Sequence, residues 1–264
     1  SLPASATAGT AAIGTITALD ALGNVATGYT GTVHFTSTDG HAVLPANMIL
    51  TNGVGTFSET FDTLGSQTIT ATDTVSPGIT GTSNAETITA GAATHFAVTL
   101  PASGAAGTPG SVTVTALDAF GNVATGYAGT VHFTSSDGHA VLPSDMTLSN
   151  GVGTFSETLD TAGNQTITAT DTVSAGVTGT SNAETVAPGA ATHFVVTIPA
   201  SGTTGTAGSV TVTALDAHDN VATGYTGTVH FTSSDGSAML PTNMTLTNGV
   251  GTFSETFEST GNQT

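Results

Sequence analysis

The stretch SVTVTALDAFGNVATGYAGTVHFTSSDG, residues 111–138, decides the fold, because it occurs three times at one fixed interval. Asp20, Asp118 and Asp216 fall at the same point of it, as do Tyr29, Tyr127 and Tyr225, each step being 98 residues. Val112, Val114 and Ala116 alternate with Thr113 and Thr115, and Val131 and Phe133 alternate with Thr130, His132 and Thr134. That is the two-residue period of a half-buried β-strand. Between the two strands lies Asp118-Ala-Phe-Gly-Asn122, a composition that makes turns, and Asp137-Gly138 makes another.

Working outward from this stretch, one complete unit reads as a succession of strands. Phe96, Val98 and Leu100 share one face of a first strand over 94–101, and a small-residue loop leads to a second over 111–117. The third spans 130–135. Pro143 marks 140–148 as an edge or irregular strand, and Asn150-Gly151 is a strong hairpin signal. A strand over 152–159 follows, with Gly153 expected as a bulge because Val152 and Phe155 are out of phase. Residues 165–171 form the next strand and 177–186 a weaker last one. About seven short strands in about 98 residues, with no helical pattern, predict an all-β architecture of tandem immunoglobulin-like Greek-key β-sandwich domains.

The expected domains are 1–91, lacking its first strand, 92–189, complete, and 190–264, lacking its last strands. Ser1-Leu2-Pro3 matches Thr99-Leu100-Pro101, and Thr264 matches Thr166, so the chain reads as a segment of a longer array.

Composition narrows the function. There is no Lys or Arg against 18 Asp plus Glu, a formal charge of −18, so nucleic acid and anionic lipid are poor partners and divalent cations natural ones. No Cys is present, so stability must come from sandwich packing. No apolar run is long enough to span a membrane, so no membrane insertion is expected. A Cys nucleophile, a G-x-S-x-G elbow and a phosphate-cradling loop ahead of a helix are all missing, which argues against an enzyme.

Val112-Thr-Val-Thr-Ala-Leu-Asp-Ala-Phe-Gly-Asn-Val, with Tyr127-Ala-Gly-Thr-Val-His-Phe-Thr-Ser-Ser-Asp and Ala162-Gly-Asn-Gln-Thr-Ile-Thr-Ala-Thr-Asp, resembles the bacterial immunoglobulin-like repeats of invasin and intimin type that are strung along large surface adhesins. The resemblance covers essentially the whole chain and implies an extracellular, non-catalytic extender at the bacterial cell surface. Its partners would be the neighbouring repeats of the same chain. The departure is the missing Lys and Arg. A self-assembling filament, through homotypic packing, is the alternative reading, and a glycan-binding module the third.

The residues that could carry chemistry are acidic. Asp20, Asn24, Asp118, Asn122, Asp216 and Asn220 suit either Asx-type turns or a hard-cation site for calcium, to which Asp219 adds a carboxylate in the third copy. Asp73, Glu86, Asp171 and Glu184 fall on the last strands, where calcium between successive domains would stiffen the array; otherwise they form a solvated acidic face. No cofactor beyond calcium is suggested. Glu59, Glu157 and Glu255 alternate onto the apolar face, and the cost of an unpaired buried carboxylate leads us to expect them at the rim. His34, His132 and His230 are out of phase with the apolar residues and should face solvent or a neighbour.

Overall fold

A computed structural model describes all 264 residues. It holds strands and no helix, and the strands assemble into immunoglobulin-like sandwiches. In the second repeat one sheet runs in the order His95–Thr99, Pro109–Leu117, Val152–Thr158, and the facing sheet in the order Met146–Thr147, Thr130–Ser135, Ile167–Asp171, Thr178–Thr180. Alternation fixes what lies between them. Val112, Val114 and Ala116 are fully buried with Phe96, Val98, Val131, Phe133, Ile167 and Ala169, while the intervening Thr side chains look outward. Phe133 meets Phe155 edge-on with ring centroids 5.4 Å apart, and Phe96 meets Tyr127 at 5.5 Å.

Asn-Gly sets the hairpin register. Asn150 and Gly151 both take positive φ, 50° and 77°, as do Asn52-Gly53 and Asn248-Gly249, the geometry of a two-residue turn that matches strand twist. In the third repeat Asp219 adopts φ 63° where Gly23 and Gly121 stand in the other copies.

Four expectations need correction. Residues 165–171 are two strands, not one: Gly163–Gln165 pairs with Glu184–Ala187, and Ile167–Asp171 pairs with Thr130–Ser135 in the other sheet. The last strand splits likewise into Thr178–Thr180 and Glu184–Ala187. Asn182 pins that crossing by accepting the Leu100 N–H at 3.0 Å and donating to the Leu100 carbonyl at 3.0 Å. The expected small-residue loop contains the strand Ser103–Ala105, parallel to Glu184–Ala187. Gly153 is no bulge, since the ladder runs unbroken from Val112↔Phe155 to Thr115↔Val152. Val152 simply faces out, and the bare Gly153 makes room for the Phe155 ring, which would stand 2.4 Å from a Cβ there.

Candidate functional site: the joints between repeats

The Asp118 turn is where one repeat meets the one before it. Asp118 Oδ1 accepts the N–H groups of Phe120 and Asn122, both at 2.9 Å, which closes an Asx turn. Its other oxygen accepts from Asn122 Nδ2 at 3.1 Å and from the N–H of Gly91 at 3.0 Å. Gly91 lies in the linker that enters the second repeat, so one carboxylate fastens turn to linker. Asn122 Nδ2 also donates to the Asp62 carbonyl of the first repeat at 2.8 Å. Beside it the Phe120 ring lies over Gly9, whose missing side chain is what lets the ring approach: a Cβ there would stand 2.1 Å from it.

The next joint repeats this set 98 residues on. Asp216 accepts from the His218 and Asn220 N–H groups at 2.8 and 2.9 Å, and from the Gly189 N–H at 2.7 Å. Asn220 donates to the Asp160 carbonyl at 2.7 Å and accepts the Ala162 N–H at 2.8 Å. His218 takes the place of Phe120, with Nδ1 3.4 Å from Asp160 Oδ1 and its ring over Gly107. Asp219 points away from this set, 3.2 Å from His193 Nε2.

Asp20 and Asn24 build the same turn, with N–H bonds from Leu22 and Asn24 at 2.9 and 2.8 Å, but that turn meets no other repeat in the chain. Asp20 is exposed, whereas Asp118 and Asp216 are 1% exposed. Burial pushes the Asp118 and Asp216 carboxyls up; the N–H donors, the linker glycine first among them, outweigh it and hold both below the ordinary Asp value. Asp20 is lowered too, by the Asn24 backbone and side chain before all else.

The remaining acidic candidates lie inside their own repeats. Asp73 accepts the Val75 and Ser76 N–H groups at 2.8 and 2.7 Å and the Tyr29 hydroxyl. Asp171 does the same with Val173, Ser174 and Tyr127. Glu86 and Glu184 form no solvated face: they are 0% and 4% exposed, inside the sandwich beside Glu59 and Glu157, both 2% exposed. The rim expected for Glu59, Glu157 and Glu255 is therefore wrong, because alternation prevails over the cost of burying the charge. Nowhere do three Asp, Glu or His side chains gather as a metal-holding group. His34, His132 and His230 do face outward, each bonded at 2.8 Å to Asn47, Asp145 or Asn243.

Sequence reasoning missed the receiving half of the joint, Asp62 and Asp160 with Gly9 and Gly107. It also missed Asp39, Asp137 and Asp235, buried turn acids whose oxygens fasten the loop after the strand that ends at Glu59, Thr158 or Glu255 through Asp62 and Thr63, Asp160 and Thr161, or Glu258 and Ser259. One signal was available: Leu22, Phe120 and His218 vary inside a turn whose flanking Asp and Asn are kept.

No family model matches the chain, and no curated protein matches it. Solved structures similar to it include the Escherichia coli adhesin FdeC, at 21% identity over 97% of this chain and 86% of that one, TM-score 0.46. Yersinia pseudotuberculosis InvD is similar at 20% identity over 96% and 80%, TM-score 0.39. Invasin, a bacterial integrin-binding protein, is similar at 19% identity over 99% and 54%, TM-score 0.38.

Proposed function

We propose that the chain is a non-catalytic spacer segment of a large surface or secreted bacterial protein, holding its repeats end to end through the Asp-Asn joints. The observation that carries this reading is the recurrence of one joint at both junctions, with the same linker N–H on Asp118 and Asp216 and the same carbonyl under Asn122 and Asn220. A joint that buries a carboxylate and satisfies it on both sides resists bending more than a flexible linker does. Mutual repulsion of a surface carrying −18 keeps the array extended. Negative-stain microscopy tests it. Rods on the order of 100 Å are expected for three end-to-end sandwiches, and chains bent at random at the junctions would refute it.

A further inference from the structure

Each of the first two repeats buries two glutamates against one another with no base in reach. Glu157 lies one residue from the end of the strand Val152–Thr158, opposite Gly110, and Glu184 opens Glu184–Ala187 opposite Gln165. Glu59 and Glu86 occupy the same places opposite Ala12 and Gln67. Room for the second pair comes from glycine: a Cβ on Gly110 would stand 2.0 Å from Glu157 Oε1, and one on Gly104 2.2 Å from Glu184 Oε1.

The neighbouring strands offer these carboxyls nothing. Ser103–Ala105, Pro109–Leu117 and Gly163–Gln165 carry no titratable side chain, nor do Ser5–Thr7, Ala12–Thr17 and Gly65–Gln67. The acids at the adjoining turn, Asp39 and Asp137, already have both oxygens on N–H and O–H donors, and the amides of Gln67 and Gln165 are committed to Thr38, Thr63, Ser136 and Thr161. Both oxygens of Glu59 and of Glu86, with Glu157 Oε2 and Glu184 Oε2, are buried without a partner. Two ionised carboxylates cannot share such a place cheaply. One proton between them removes a charge and supplies the missing donor.

We propose that Glu59 with Glu86, and Glu157 with Glu184, act as carboxyl pairs that share a proton in mild acid, the condition in which each sandwich is firmest. Burial first, and then the Glu86 charge, pushes Glu59 up to about 7; burial likewise raises Glu86, Glu157 and Glu184, and the Glu184 charge adds to the rise at Glu157. A raised folded-state value stabilises below the unfolded value, and the stabilisation is lost as pH climbs toward the folded one. The strands concerned, Glu86–Thr89 and Glu184–Ala187, run directly into the linker glycines Gly91 and Gly189 held by the joints. Loss of the proton therefore loosens the strand that feeds each joint.

Urea unfolding between pH 5 and pH 8 tests this, comparing the parent chain, the Glu59→Gln/Glu157→Gln double variant, and Asp219→Asn as an exposed acid. Each held proton lowers the folding constant about tenfold per pH unit within the window. The parent and Asp219→Asn should weaken as pH rises, and the double variant should weaken much less steeply and be firmer than the parent at pH 8. A double variant that weakens as steeply as the parent would overturn the proposal. So would calcium restoring the parent, and not the double variant, at pH 8, since the pair would then hold a cation. Carboxyl carbon resonances of the unaltered chain give a readout independent of any variant: a Glu59 midpoint of about 7 is expected, with Glu86, Glu157 and Glu184 displaced upward from the ordinary glutamate range, and titration of every glutamate in the ordinary range would overturn it.

Discussion

Removing Phe120 should free the first joint while leaving both sandwiches folded. The chain contains its own reference for the size of the effect. Leu22, at the same turn position but facing no other repeat, is 87% exposed, against 47% for Phe120. The difference is what the joint covers. On a phenylalanine surface on the order of 200 Å² it comes to roughly 80 Å², or about 2 kcal/mol at roughly 25 cal/mol per Å², which is about a 30-fold loss in the closed population of the joint. Adding Asn122→Ala removes the bond to the Asp62 carbonyl at 2.8 Å and about 1 kcal/mol more. Asn24→Ala, which alters the same turn without a neighbouring carbonyl, gives the part that belongs to the turn alone. A chain without cysteine accepts spin labels at Val75→Cys and Val173→Cys, both highly exposed, and pulsed dipolar spectroscopy then reads the distance between the repeats. The parent should give one narrow distribution, Leu22→Ala the same, Phe120→Ala a broad one, and Phe120→Ala/Asn122→Ala the broadest. Equal widths for the parent and the Phe120→Ala/Asn122→Ala chain would show that these contacts do not hold the repeats.

Four further outcomes are expected. Gly179→Val should destabilise the second repeat by about 2 kcal/mol or more, since its Cβ would lie 2.0 Å from the Phe96 carbonyl oxygen, whereas Gly81→Val, with nothing within 4 Å, should leave the calorimetric trace of this chain nearly unchanged. Tyr127→Phe leaves Asp171 with only its Val173 and Ser174 N–H donors and should cost about 1–3 kcal/mol in urea unfolding. In the parent, Tyr29, raised by burial and then by Asp73, should ionise at about 12 in an ultraviolet titration. Asp39 is pushed up by burial, but N–H bonds from Thr63, His41 and Asp62 win and hold it at about 2. Its contribution, about 2 kcal/mol for that shift, is complete above the ordinary value of 3.8 and lost as pH falls through about 2. Asp39→Asn should flatten this acid limb, and with the glutamates acting in the opposite direction the parent should be firmest near about pH 4 to 5.

Much of the fold was legible because the apolar residues alternate cleanly and Asn-Gly turns fix the hairpins. The sheet switch at Thr166 was not, since Gln165, Ile167 and Ala169 keep the same two-residue period through it and nothing local marks the change of partner. Glu157 shows the reverse case. Its alternation with Phe155 and Leu159 placed it correctly inside, and only the cost of burying a lone carboxylate argued for the rim. The partner that changes that cost, Glu184, is brought to it by strand pairings, antiparallel to Gly163–Gln165 and parallel to Ser103–Ala105, that leave no trace in the sequence. At the joints the donor half was visible as a repeated turn with Asp and Asn four residues apart. The acceptor half consists largely of backbone, the Asp62 and Asp160 carbonyls and the bare Gly9 and Gly107, and backbone has no sequence signature.

The near-identity of the first strands bears on how such a chain reaches its native state. His95–Thr99 and His193–Thr197 differ only at Ala97 and Val195, and each pairs with the same five residues, Thr-Val-Thr-Ala-Leu, at 113–117 and 211–215. Side chains therefore cannot tell the right partner from the one in the next sandwich. What separates them is chain distance: Thr99 is about 10 residues from Pro109, and its competitor lies about 98 farther along. Closing the longer loop costs roughly 2 kcal/mol more. Pairing fidelity in this array rests on the order of the chain, so refolding at concentrations where a second molecule is nearer than the chain's own partner should yield strand-swapped oligomers.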